Sequence, residues 1–171
     1  MKKLVVICLL LLFFSCGQEE NNTQKSTAQE TTSYKLTKKE VSKINIIEFE
    51  LDAKVKKITQ DWGKYNELSN VIDNVKNGDT SFFMGNHETL EALLNDFKTS
   101  LPKQLNSPSV QARIVSLENA FYKFESLIGL SNSKQENVLE SLKTLLTSFS
   151  NLKFQMNKKL ERESQKIEKP V

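Results

Sequence analysis

The helical character of this 171-residue chain is clearest in residues 107–130, which read SPSVQARIVSLENAFYKFESLIGL. Ser107 followed by Pro108 is typical of a helix start, because the hydroxyl can cap the first turn and proline fits the first helical position. Gly129 predicts the helix end, and we expect Leu130 to fold back on the last turn. Apolar residues recur every three or four positions, which predicts one buried face. They are Val110, Ile114, Leu117, Phe121, Phe124 and Ile128.

Helical patterns continue on both sides of this segment. After it, Ser133 and Glu136 fit a capping box, and apolar residues recur at helical spacing as far as Leu160. This pattern predicts a last helix of about 34 residues. Before the segment, residues 86–100 predict a shorter helix. Its apolar face contains Leu90, Leu93, Leu94 and Phe97.

The longest predicted helix covers residues 37–77. The sequence Thr37-Lys38-Lys39-Glu40 fits a capping box at its start, and Asn77-Gly78 predicts its end. Between them, apolar residues recur at steps of three or four, which predicts about 40 residues of helix. Gly63 lies within the pattern and leaves open whether the helix breaks there. The charged run over residues 48–57 is interpreted as the solvated face of this helix.

Four helices joined by short connections predict an all-α fold. We expect an antiparallel up-down bundle over residues 37–171, because helices joined by short loops pack as antiparallel neighbours. The predicted helices have unequal lengths, so the long first and last ones are expected to overhang as a coiled-coil-like extension. With only 5 Gly and 3 Pro, the chain has few of the turns that a β-sandwich or barrel needs.

The N-terminus has the pattern of a signal peptide. Met1-Lys2-Lys3 is positively charged, and Leu4–Phe14 is an unbroken apolar run. As a helix, this run would extend roughly 16 Å, about half the hydrocarbon core of a bilayer. Residues 1–15 are therefore predicted to be a signal peptide, ending with the small residue Ser15 immediately before Cys16.

This arrangement resembles the signal peptide of a Bacteroidota-type bacterial lipoprotein. The resemblance covers residues 1–20 and departs from the common lipobox at Phe13 and Phe14, which are bulkier than its usual residues. It implies that Cys16 carries a covalent lipid such as palmitate, becomes the mature N-terminus and anchors the protein in the outer membrane of the cell envelope. The acidic pair Glu19-Glu20 resembles a surface-export signal, which leaves open the periplasmic face and the cell surface.

The stretch that follows the apolar run predicts a tether. Residues 16–36 are rich in Gln, Asn, Thr, Ser and Glu, and such a composition buries too little apolar surface to fold. Loss of Lys2 and Lys3 reduces the 24 basic residues to 22, against 21 acidic ones, a net charge of +1. A nearly neutral chain whose only arginines are Arg113 and Arg162 is not expected to bind nucleic acid.

Groups that carry chemistry are scarce in the sequence. His87 is the only histidine, and Cys8 and Cys16 are the only cysteines. Cys8 leaves with the signal peptide, and Cys16 is the predicted lipid attachment site. We therefore predict no metal site, no cofactor besides the covalent lipid, and no enzymatic activity.

An apolar segment between the first two predicted helices has two interpretations. Phe82, Phe83 and Met84 stand where polar connecting residues are expected. They either pack against the end of the bundle or form an exposed patch that docks a partner.

Two functional hypotheses follow from these patterns. The first is a membrane-anchored cell-envelope lipoprotein whose non-catalytic helical domain is a protein-binding or structural adaptor module. The alternative is a carrier or sensor that holds a small apolar ligand between its helices, lined by Trp62, Phe121 and Phe124, with Phe83 as a further candidate. The identity of the envelope protein partner and the oligomeric state stay open.

Overall fold

The computed structural model describes residues 34–85 and 87–165 of the chain. All regular secondary structure in these residues is helical, which confirms the predicted all-α class. None of the described helices is long and apolar enough to cross a membrane. The predicted signal peptide, Cys16 and the tether as far as residue 33 lie outside the described residues. In chain order, the elements are α1 (Lys38–Val41), α2 (Ala53–Gln60), α3 (Gly63–Lys76), a 3₁₀ turn (Ser81–Phe83), α4 (His87–Thr99), α5 (Pro108–Gly129) and α6 (Gln135–Ser164).

Helices α5 and α6 pack extensively against one another. The predicted start of α5 is confirmed, because the Ser107 hydroxyl accepts a hydrogen bond from the Val110 N–H at 3.3 Å. The helix ends at Gly129 as predicted. Lys159, near the end of α6, donates a hydrogen bond to the carbonyl of Gln104, which precedes α5. The end of α6 therefore lies beside the start of α5.

The apolar faces predicted for α4, α5 and α6 form the core. Their spacing of three or four residues places them on one side of each helix, where they are shielded from water. Truncating a buried phenylalanine at such a position to alanine costs about 3–5 kcal/mol of stability. The buried residues of these faces include Leu90, Leu93, Leu94, Phe97, Val110, Ile114, Leu117, Phe121, Phe124, Ile128, Val138, Leu142, Leu145, Phe149, Leu152 and Met156.

The prediction of a single first helix over residues 37–77, with a break at Gly63 left open, was wrong for the residues that precede α2. Helix α1 ends at Val41, and residues 44–52 have no helical structure before α2 begins. A second break separates α2 from α3 at Asp61–Trp62, and α3 begins at Gly63. The described chain therefore has a long last helix, the 30-residue α6, but no long first helix.

The pattern over residues 44–52 fits two periods, which explains the error. Ile44, Ile47 and Leu51 match helical spacing, whereas Ile47, Phe49 and Leu51 alternate with acidic residues in the way that an extended segment does. In the structure Ile44 and Ile46 are partly buried, but Ile47 is 75% exposed. Branching at the β-carbon also restricts isoleucine rotamers more in a helix than in an extended backbone.

The first described residues are fastened to the domain. The predicted capping box is confirmed: the Thr37 N–H donates to the Glu40 carboxylate at 2.9 Å, and the Glu40 N–H donates to the Thr37 hydroxyl at 3.3 Å. Leu36 is buried, and the Tyr34 hydroxyl and Gln135 of α6 also donate to Glu40. The Thr37 hydroxyl also donates to this carboxylate at 2.6 Å, and the hydrogen bonds that the carboxylate accepts, that of the Thr37 hydroxyl first, lower the pKa of Glu40 to about 2.

Gly78 confirms the predicted stop after α3 and adds a packing role. Its φ of +87° lies in the left-handed region that favours glycine. A Cβ at this position would stand 2.8 Å from the backbone nitrogen of Lys38. The glycine therefore allows the turn after α3 to approach the start of α1.

Two further predictions at the α5–α6 connection were wrong. The Ser133 hydroxyl donates to the carbonyl of Leu127 instead of capping α6, whose N-cap residue Lys134 provides no side-chain cap. A serine hydroxyl can satisfy the last carbonyls of one helix as readily as the first amides of the next. Leu130 is 49% exposed and does not fold back on α5.

Candidate binding site

The extended segment of residues 44–52, here called the strap, lies along α6. Ser150 of α6 makes two hydrogen bonds with the strap backbone. Its hydroxyl accepts from the Phe49 N–H at 2.8 Å and donates to the Ile47 carbonyl at 2.8 Å. Because Ser150 is buried, it supplies both partners where water has little access.

Asn157 of α6 repeats this arrangement two helical turns further along. Its Oδ1 accepts from the Asp52 N–H at 3.0 Å, and its Nδ2 donates to the Glu50 carbonyl at 2.7 Å. Ser150 and Asn157 are seven residues apart and share one helix face. The strap is therefore attached to α6 by two side chains that each use a donor and an acceptor.

A cleft of about 460 Å³, here called the strap cleft, lies between the strap, α3 and α6. Tyr65 of α3 and Phe149 of α6 form its aromatic lining, with stacked rings whose centroids are 5.9 Å apart. Leu51 of the strap adds apolar surface. The cleft therefore offers a ligand an apolar wall built from three separate parts of the chain.

Two polar groups reach the same cleft from residues that are otherwise buried. Lys153 is only 9% exposed, and its Nζ lies 5.5 Å from the centroid of the Phe149 ring, a cation–π contact. Tyr65 is 6% exposed, and its pKa is raised by burial and further by the carboxylates of Glu50 and Asp73. Its hydroxyl therefore stays protonated at neutral pH and can donate a hydrogen bond.

The rim of the strap cleft carries charges of both signs. Glu50 and Asp73 are its acidic members, and Lys56 and Lys76 join Lys153 as its basic members. Lys76 also bonds the neighbouring Glu48 of the strap, which lowers the pKa of that carboxylate. The cleft thus has a mixed rather than a uniformly positive or negative potential.

Three apolar side chains of the strap and α6 are here called the Ile47 patch. Ile47 and Phe49 are two residues apart in the extended strap and so share one of its sides, and Phe154 of α6 lies beside Phe49. Ile47 is 75% exposed and Phe154 is 37% exposed. The Phe49 and Phe154 rings lie 4.6 Å apart, and the Lys158 Nζ lies 5.7 Å from the Phe154 centroid. Clustered exposed apolar side chains are typical of a surface that binds another molecule.

A larger cleft of about 780 Å³ lies at the break between α2 and α3. Trp62 lines it but is buried, with its ring stacked on Phe97 at 4.5 Å and its Nε1–H donating to the Ser100 hydroxyl at 2.9 Å. Lys64, also in the lining, pairs with Asp96 at 3.1 Å. Trp62 and Lys64 therefore already have partners within the protein.

The residues of the predicted interaction patch separate in the structure. Phe83 is buried, with its ring edge-on to Phe124 at 5.0 Å and stacked near Phe121 at 6.1 Å. Phe82 is partly buried against Phe83, whereas Met84 is 42% exposed. The burial of Phe83 favours the structural interpretation of this segment.

The three residues predicted to line an apolar pocket do not meet at one site. Phe121 and Phe124 are fully buried and pack against Phe83. Trp62 instead packs against Phe97 and Tyr65. Two separate aromatic clusters therefore take the place of the single predicted lining.

His87 begins α4 and forms an exposed ion pair. Its Nδ1 lies 2.8 Å from the Glu125 carboxylate of α5, and this hydrogen bond raises the pKa of His87. The Tyr122 ring lies 5.6 Å away. Within residues 34–85 and 87–165, no three His, Cys, Asp or Glu side chains come together as a potential metal site.

The strap cleft and the Ile47 patch were both missed by the sequence prediction. The strap residues that line the cleft, Glu50 and Leu51, lie in the charged run over residues 48–57, which was assigned to one helix. Their partners Ser150, Lys153 and Phe154 lie about a hundred residues later.

No protein family, curated protein or solved structure was found to match this chain.

Proposed function

We propose that this chain is a lipid-anchored lipoprotein of the cell envelope whose non-catalytic helical domain is a protein-binding or structural adaptor module. The anchoring half rests on the sequence of residues 1–20, in which a short apolar run and a small residue precede Cys16. Each methylene of an acyl chain buried in a bilayer contributes about 0.8 kcal/mol, so two or more chains on Cys16 provide stable attachment.

The binding half rests on the Ile47 patch. Two neighbouring phenylalanine rings and a 75% exposed isoleucine form an apolar surface flanked by a lysine. Aromatic side chains with an apolar neighbour are the groups that contribute most to protein–protein binding. We assign the partner as an envelope protein that presents an apolar surface to this patch.

A rigid support for the patch follows from the proposed arrangement of α3 to α6 as an up-down-up-down bundle. Lys64 at the start of α3 pairs with Asp96 near the end of α4, as expected for antiparallel neighbours. Lys98 at the end of α4 pairs with Glu118 in α5 at 2.6 Å, and His87 at its start pairs with a later residue of α5. Together with the contact between the end of α6 and the residues before α5, these ion pairs support the alternating order.

The alternative of a carrier for a small apolar ligand has less support. Its three proposed lining residues, Trp62, Phe121 and Phe124, are buried among other aromatic rings rather than around a common space.

Replacement of the proposed lipid attachment site tests the anchoring. Wild type and the Cys16→Ser variant are expressed in a lipoprotein-processing bacterium that is fed a clickable palmitate analogue. We expect label and membrane retention in the wild type and neither in the variant. Equal membrane retention of both proteins in alkaline carbonate would contradict the proposal.

A photoreactive residue at position 47 tests the docking surface on intact cells. The matched control is the same residue at position 115, because Val115 is also an exposed aliphatic residue but lies on α5. We expect a discrete crosslinked band from position 47 and none from position 115. Absence of a band at 47, or the same band from both positions, would reject the Ile47 patch as the contact.

A further inference from the structure

The strap cleft contains two polar groups that make no hydrogen bond within the described chain, although the Lys153 ammonium lies over the Phe149 ring and is attracted at longer range by the Glu48 carboxylate. Neither the Lys153 ammonium nor the Tyr65 hydroxyl has a hydrogen-bond or ion-pair partner among residues 34–85 and 87–165. Every side-chain nitrogen or oxygen of these residues that is fully buried has a hydrogen-bond partner. Since these two groups have none, neither is fully buried, and both must be in contact with solvent. Because both side chains are more than nine-tenths buried and both line the strap cleft, the cleft is where solvent meets them.

These two groups lie against the same Phe149 ring. The Lys153 Nζ is 5.5 Å from its centroid, and the Tyr65 ring is 5.9 Å from it. A lysine held in this way is less hydrated than an exposed one, and an adjacent phenol adds a hydrogen-bond donor. Two donors that line one cleft, of which one is cationic, suit a carboxylate.

The charges around these donors restrict the ligand further. Once Lys76 is paired with Glu48, the rim retains two cations, Lys56 and Lys153, and two anions, Glu50 and Asp73. A doubly charged phosphate would face both acidic side chains and be repelled by them. A ligand with one negative and one positive group matches both signs.

We propose that the strap cleft binds a small zwitterion of the α-amino acid class with an apolar side chain. Its carboxylate accepts hydrogen bonds from Lys153 and Tyr65, and its ammonium group lies beside Glu50 or Asp73. Its side chain packs on Phe149 and on Leu51 of the strap. The cleft volume of about 460 Å³ is within the range of about 300–1,000 Å³ that small-molecule sites occupy.

Saturation-transfer NMR on the purified full-length chain in detergent micelles provides the test, with L-leucine as the probe. N-acetyl-leucine lacks the ammonium group, and leucinamide lacks the carboxylate. We expect saturation transfer to leucine and little to either derivative, because each removes one of the two charge matches. Absence of transfer to leucine, or equal transfer to all three, would overturn the proposal. Preferential transfer to N-acetyl-leucine would assign the site to a plain carboxylate and would likewise overturn it.

Two variants locate the site. Lys153→Met keeps the aliphatic part of the side chain and removes the ammonium group, and we expect it to weaken leucine binding about tenfold or more. Lys158→Met is the matched control, because Lys158 lies on the same helix with its Nζ near a phenylalanine ring but outside the cleft. Equal weakening by both variants would overturn the assignment.

Tyr65→Phe keeps the core packing and removes only the hydroxyl, and circular dichroism establishes whether each variant is folded. If Lys153→Met fails to fold, the Tyr65→Phe result decides the matter. Reduced leucine binding by a folded Tyr65→Phe protein supports the site, and unchanged binding overturns it. Crosslinking at position 47 measures a different surface, so its failure and the failure of leucine binding are distinguishable.

Discussion

The attachment of the strap to α6 predicts a specific loss of stability when Ser150 is replaced by alanine. The substitution removes two hydrogen bonds of 2.8 Å, one from the Phe49 N–H and one to the Ile47 carbonyl. At about 1 kcal/mol each, their loss lowers the free energy of unfolding by about 2 kcal/mol. The exposed Ile47 lets water reach one edge of the strap, so the cost does not approach the full penalty of two dry orphaned groups. For a domain of this size, we expect the melting temperature to fall by about 4–8 °C.

Ser141→Ala is the matched control for this experiment. Ser141 is also a buried serine on α6, but its hydroxyl donates to the carbonyl of Val138 in the same helix and not to another element. Its replacement by alanine, the best helix former, is expected to change stability by less than about 0.5 kcal/mol. Urea unfolding followed by circular dichroism measures both variants.

Amide hydrogen exchange shows whether the strap itself is responsible. In the Ser150→Ala variant we expect the Phe49 amide to lose its protection, while amides in the middle of α5 exchange at nearly the wild-type rate. If Ser150→Ala and Ser141→Ala were equally stable and the Phe49 amide kept its protection, the strap would not be held by Ser150 and the reasoning would be refuted.

Three further predictions concern packing, backbone conformation and pH. Gly78→Ala should destabilise the protein by about 1–3 kcal/mol in urea melts, because φ is positive at this position and the added Cβ would collide with the start of α1. Gly63→Ala is the control and should be neutral or stabilising, because an added Cβ there has free space around it. Phe83→Ala should lower the free energy of unfolding by about 3–5 kcal/mol, and Met84→Ala, at an exposed position, by less than about 0.5 kcal/mol. Similar losses for the two variants would argue against a core role for Phe83. The ion pair of His87 stabilises the protein fully below its unfolded pKa of about 6.5, and this contribution is lost as pH rises through its raised folded pKa. Urea midpoints recorded between pH 5 and 9 should therefore contain a step in that window that disappears in His87→Gln, and a step that persists would assign it to another group.

Local sequence signals were sufficient to predict helix boundaries that depend on residues within one turn of the helix end. Ser107-Pro108 and Gly129 delimit α5, and Asn77-Gly78 delimits the end of α3, because caps and stops act over one turn of chain. The capping box of Thr37 and Glu40 is found for the same reason. In contrast, the pattern at Ser133 was a false signal, since its hydroxyl had a second acceptor in the preceding helix.

The strap and its cleft depend on contacts that no local pattern contains. Ile44, Ile47 and Leu51 satisfy the helical period, and only the distant Ser150 and Asn157 favour an extended backbone by satisfying its amides and carbonyls. The strap cleft was not predicted for the same reason, because its lining combines the strap with residues of α3 and α6 that are distant in the sequence. Tertiary hydrogen bonds that override a local period are not predictable from the period itself.

Under the proposed anchoring through Cys16, the fastening of residues 34–40 has a mechanical consequence. A pulling force applied from the N-terminal side would act first on the buried Leu36 and on the Glu40 carboxylate. Tyr34 and Gln135 both donate hydrogen bonds to that carboxylate. The load therefore passes into the beginning of α6, the longest described helix, before it reaches the strap. Drag on the domain would therefore act on this junction before it acted on the strap cleft.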